Sequence, residues 1–243
     1  MPLRLVLLLF VYLLIIGGCR FQPVNTVEGK LVLIDSSLPA DKAKLYNGDD
    51  YSTAFPVYYM GPVADTIVLP SSPLRSHRKS GDEEFGEHAP WTPADSTHLQ
   101  IVVDTAYRLS NASRYSHAYW SAKTGTYTEV LDSVVYYKAI PVFLYNKGNG
   151  VFNIGIFGEL SRIILQAKNE KGDWQDIVGP RRYRCGTGAS DQVLKGGEVA
   201  VAKLFLIDGD YHTSCRLKFK SRKDTVYSNV FSFTIEKRLL EKD

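Results

Sequence analysis

Methionine and cysteine are scarce in this 243-residue chain, with 2 and 3 copies, and the recognisable signatures of catalysis are missing. There is no nucleophile elbow, no His-Glu-x-x-His pair, no phosphate-binding loop and no dinucleotide glycine pattern. An excess of one charge is missing too. The 29 Lys and Arg stand against 26 Asp and Glu, which leaves no electrostatic footprint for nucleic acid. No repeat of fixed period and no heptad pattern occurs. Only one long apolar run exists, at the start, so nothing reads as a second membrane span. Outside the charged tail at 238–243, no stretch carries a convincing helical period.

What the chain has is aromatic residues: 15 Tyr, 11 Phe and 3 Trp. These are strand residues, and they pair well across strands. Apolar runs bounded by Gly, Pro or Asp occur at 30–35, 54–61 and 65–70, with GPVAD between the last two reading as a hairpin turn. Further runs begin at 99–109, where a kink is expected after Ala106. RYSHAYWS follows, then TYTEVLDSVVYYKAIPVFLY, long enough for two strands meeting near Pro141. LSRIILQAKNEKGDWQDIV predicts a hairpin turning at NEKGD. Alternation in GDYHTSCRLKFKS places Tyr211, Thr213, Cys215, Leu217 and Phe219 on one face. The expected fold is all-β: an N-terminal β-sandwich over 30–137, with a long polar loop at 71–98, and a second sandwich over 138–237.

Ahead of the strands, Arg4 precedes an apolar stretch from Leu5 to Ile16. It is too short for a comfortable bilayer span and has the charged start and apolar middle of a secretory signal. It ends Ile16-Gly17-Gly18-Cys19, which resembles the lipobox of bacterial lipoproteins. That resemblance implies cleavage after residue 18, diacylglycerol on the Cys19 thiol, and a tether over 19–29. It also implies a membrane held through the lipid. With no aspartate after Cys19 and no acidic cluster, the implied address is the periplasmic face of an outer membrane, surface display being the other destination.

Two cysteines remain, Cys185 and Cys215. In an oxidising compartment an even pair invites a disulfide, which would close a loop of about 30 residues and stabilise by roughly 3–4 kcal/mol. The alternative is two buried thiols that never meet. GDYHTSCRL followed by VYSNVFSFTI resembles the last two strands of an immunoglobulin-like domain. The resemblance implies that Tyr211 bonds across a strand corner. Thr213 stands where that family carries its second cysteine, so the usual inter-sheet bridge is absent.

Few residues stand out as a site. Tyr115, Tyr119 and Trp120 offer an aromatic platform for a sugar or a protein, with the two tyrosines on one face and Trp120 on the other. Trp91 is expected to pin the end of the long loop. His77, His88 and His98 lie near carboxylates, but their spacing matches no metal motif, so no metal and no cofactor are expected. The reading these residues support is a membrane-anchored, non-enzymatic lipoprotein that contacts a protein or a glycan of the cell envelope. An immunity- or assembly-type lipoprotein with one specific protein partner is the alternative, and a hydrolase is the remote third.

Overall fold

The computed structural model describes residues 31–37, 40–47, 55–74, 93–156, 158–178, 191–221 and 224–241. Leu31 to Asp243 form one compact unit, and nearly all of its regular structure is strand. The segment expected to be a signal, Cys19, the expected tether over 19–29, Trp91 and Cys185 lie outside the described residues.

Two five-stranded sheets face each other. The first has the order β2 (Val57–Pro62), β11 (Glu198–Phe205), β6 (Thr126–Asn146), β4 (Leu99–Val103), with β5 (Leu109–Ser121) also on β6. The second runs β13 (Thr225–Tyr227), β12 (Tyr211–Lys220), β8 (Ile163–Lys168), β9 (Trp174–Val178), with β14 (Phe231–Ile235) also on β12. Ile101, Ile140, Val142, Leu144, Ala200 and Ala202 from the first sheet pack with Leu165, Ala167, Leu217, Phe219 and Phe233 from the second in one continuous core. A smaller antiparallel pair, β7 (Phe152–Ile156) with β10 (Asp191–Leu194), adds Phe152, Ile154 and Leu194 to it.

The first sheet is covered on its other face too. A parallel pair, β1 (Val32–Asp35) with β3 (Thr66–Leu69), lays Leu33, Ile67 and Leu69 against Tyr58, Phe143, Tyr145, Val199 and Val201. Being covered on both faces explains why the central strands read as near-continuous apolar runs, AIPVFLY and, broken by Lys203 alone, VAVAKLF. The all-β sandwich character expected from composition is what the chain adopts.

Four expectations need correcting. Residues 137 and 138, the expected domain boundary, sit inside β6, and the core on either side of it is shared. GPVAD does not turn a hairpin, because β2 pairs with β11 and β3 with β1; the segment carries the chain from one layer to the next. Pro141 does not divide two strands. Its carbonyl accepts from Asp104 N at 3.2 Å, so its side of β6 faces the gap where the partner changes from β5, ending at Ala139, to β4, starting at Val142. A residue without an N–H fits at that gap without costing a ladder bond.

The last correction concerns Cys215. It is a free thiol, fully buried, and packs into the main core. The expected bridge to Cys185 is not made. Alternation along β12 sets Cys215 beside Leu217 and Phe219 on the inner face, where it packs as a small apolar side chain. Burial pushes this thiol up to about 12. Tyr211 opens β12 opposite Ile235, half-buried against the core.

Candidate interaction surface

The hairpin of β5 and β6 outgrows the sheet that it belongs to. Its base, Leu109 to Asn111 on β5 and Tyr137 with Ala139 onward on β6, is buried. Beyond that, every residue of 114–120 is exposed, and so is nearly all of 126–133 across from it. The exposed stretch spans about 20 Å at roughly 3.3 Å per residue. A four-residue turn closes it, with Ser121 O accepting from Gly125 N at 2.8 Å and Gly125 at φ 63. Ser116 begins a register shift that leaves Asp132 as an extra residue on β6. Such a bulge tightens the local twist of the ribbon.

A two-stranded ribbon is marginal in water by itself, so its base has to be held. Tyr137 sits in a cluster with Tyr46 (ring centroids 5.1 Å apart) and Phe205 (6.0 Å). Lys44 Nζ lies 5.6 Å over its ring. The Tyr115 and Tyr137 hydroxyls are 3.3 Å apart; that hydrogen bond, with burial second, pushes the Tyr137 phenol up to about 12. On the same face Tyr58 donates to the Asn111 side chain. Farther out, His117 Nδ1 meets Asp132 Oδ1 at 2.7 Å and Ser116 donates to Glu129.

The arm brings together three of the sequence's candidate residues. Tyr115 and Tyr119 are about half exposed on one face, and Trp120 on the other is 57% exposed. The sequence reading missed Tyr127, which stands directly opposite Trp120, is 74% exposed and contacts it edge-on at 5.2 Å. Val130 and Leu131 are exposed as well. The missed signal was the pairing: only the register of the hairpin tells which aromatic meets which. Comparison with family models, curated proteins and solved structures finds no match. The geometry of the arm therefore stands on its own physics. Aromatic side chains on both faces of a solvated ribbon are costly to leave in water, and patches of this kind mark contact sites.

A second polar cluster also escaped the sequence reading. Lys203 on β11 has no exposed surface. Its ammonium bonds Asp35 Oδ1 at 2.9 Å and Ser110 O at 2.7 Å, and lies 4.1 Å over the Tyr58 ring. Asp35 also accepts from Ser110 N at 3.0 Å and Ser37 N at 3.1 Å. Desolvation holds Lys203 below the usual lysine range against the opposing pull of Asp35, while burial, with Asp35 second, raises Tyr58. Through Asp35 this buried cluster ties β1 to the first sheet. The clue in the sequence was a lysine in the middle of VAVAKLF.

One of the remaining histidine candidates falls within the described residues. His98 pairs with Asp95 at 2.9 Å at the start of β4; His77 and His88 lie outside the described residues. Among the described residues no three His, Cys, Asp or Glu side chains gather as metal ligands. Of the long loop, Leu74 N donates to Val57 O at 2.7 Å and Ala94 is buried in the main core, so its two ends are fixed. An open pocket of about 280 Å³ at the base of the arm is lined by Pro56, Ser72, Pro73, Leu74, Ala112, Arg114, Gly158 and Glu159.

Proposed function

We propose that the protein is a membrane-anchored, non-enzymatic lipoprotein of the cell envelope whose β5–β6 arm is its contact element for another protein. The observation that carries this reading is the arm: six large apolar side chains, Tyr115, Tyr119, Trp120, Tyr127, Val130 and Leu131, stand exposed on its two faces. Support for the anchor is the Ile16-Gly17-Gly18-Cys19 motif. The buried Lys203 ammonium is closed off by Asp35, Ser110 and Tyr58, which favours a structural role for that cluster. A protein suits the arm better than a sugar does, because a sugar stacks on one aromatic face and leaves the other in water.

Two experiments test the reading. Fatty-acid labelling should mark the wild type and not Cys19→Ala; equal labelling of both removes the anchor. Replacement of residues 116–131 by a short Asn-Gly turn should abolish capture of the protein partner from native envelopes. Undiminished capture by the shortened chain sinks the assignment of the arm.

A further inference from the structure

The two edges of the arm are built differently. Exposed edge strands are ordinarily guarded by charges or prolines, which stop them from pairing with another chain. Along β6 the guard is present: Glu129 and Asp132 are exposed, with no cation between 126 and 137. Along β5 it is missing. From Tyr115 to Ala122 the sequence is YSHAYWSA, with no formal charge and no proline. Among the described residues no strand pairs with that edge.

Its backbone groups point outward in a known order. Ser110 N donates to Asp35, away from β6, while Ser121 O accepts from the turn that leads into β6. Strand alternation then aims the N–H and C=O of 112, 114, 116, 118 and 120 at open solvent. We propose that the β5 edges of two copies of this chain pair antiparallel about a two-fold axis at His117, joining the arms into one four-stranded sheet. The proposal rests on the reading of the arm as contact element and names a second copy as the protein it contacts.

The register follows from side-chain complementarity. A two-fold centred on a residue keeps every side chain on its own face. Centred on His117, it sets Tyr115 opposite Tyr119 and Arg114 opposite Trp120, each twice by symmetry. Aromatic and cation–π cross-strand pairs both stabilise. Centred on Ala118, it sets Ser116 opposite Trp120 and Arg114 opposite Ala122, losing the cation–π pair and the Tyr115–Tyr119 pair and keeping only His117 opposite Tyr119. The outward backbone groups pair as 114 with 120 and 116 with 118, and the turn of one copy arrives beside Ala112 and Arg114, where the pocket lies. Self-pairing through β6 instead would crowd four carboxylates along an edge that carries no Lys or Arg between 126 and 137.

The test places a thiol on the axis. Two His117 residues form a non-hydrogen-bonded pair with Cα atoms about 4.5 Å apart, within disulfide reach. His117→Cys, in the full chain carrying Cys185→Ser and expressed in its own envelope, should give a dimer on a non-reducing gel. Ala118→Cys and Val130→Cys should cross-link at least tenfold less. Equal cross-linking at all three positions overturns the register. In detergent, sedimentation of the full chain should show dimer, and both Ala118→Pro, which removes an outward N–H, and Arg114→Glu should lower the dimer fraction at least tenfold. A monomer at concentrations up to about 0.1 mM overturns the self-pairing. If such a monomer still captures an envelope protein through the arm, the pairing fails and the arm reading stands; if shortening the arm also leaves capture intact, both fail.

Discussion

Lys203 and Cys215 are both fully buried, yet each fits its site for a different reason. Lys203 is held by partners, and the partners decide what mutation costs. Asp35→Ala would leave its ammonium with Ser110 O, Ser37 Oγ and the Tyr58 ring, and no carboxylate; stranding a buried charge costs about 3–5 kcal/mol. The double variant Asp35→Ala with Lys203→Met removes the charge too and should recover at least half of that loss in urea denaturation. Equal stability of the single and double variants would show that the pair is not coupled. Cys215 is held by packing. Its raised thiol should resist alkylation at pH 8 in the folded protein and react on unfolding. Burial pushes the thiol from its ordinary 9.0 up to about 12, so folding keeps the proton: this contribution is full below pH 9 and is lost as pH climbs towards 12. Tyr145, raised to about 12 chiefly by burial, pulls the same way, so unfolding midpoints should fall on the alkaline side. A midpoint that rises between pH 9 and 11 would contradict this.

Among the elements, the arm separates binding from stability. Its outer half contributes little to the core, so replacing 116–131 by a short turn should leave the melting temperature within a few degrees of wild type. Tyr137→Ala, at the buried base, should instead cost about 3 kcal/mol. A large loss on shortening would mean the outer ribbon belongs to the fold. How far the sequence reveals elements depends on how local their causes are. The β8–β9 hairpin was legible because NEKGD supplies its own turn, with Gly172 at φ 86. The inner face of β12 was legible because one side of that strand is core and the other is not. The length of the arm was not legible: when both faces are exposed, no alternation marks where burial stops. Nor was the partner change at Pro141, which depends on where β5 ends and β4 begins, positions set by strands distant in sequence.

For the whole molecule, the question is whether the two halves of the chain unfold together. Composition and strand spacing could not decide it, since two sandwiches in series and one sandwich of interleaved strands read alike. Three features couple the halves. β11 pairs with β2 on one side and β6 on the other, so the first sheet is drawn from both halves of the chain. The main core mixes Ile101 and Ile140 with Leu217 and Phe233. Asn229, just before β14, accepts from Val103 N at 2.8 Å and donates to Val103 O at 3.0 Å, capping β4 with a residue of the far end of the chain. Two domains would melt as two transitions, and a core truncation in one would leave the other where it was. A shared core melts once. Ile101→Ala on β4 and Leu217→Ala on β12, each removing a buried side chain at about 2–5 kcal/mol, should therefore shift one common calorimetric transition by similar amounts, with the van't Hoff and calorimetric enthalpies still in agreement. A second transition that moves with only one of these substitutions would restore the boundary at 137/138.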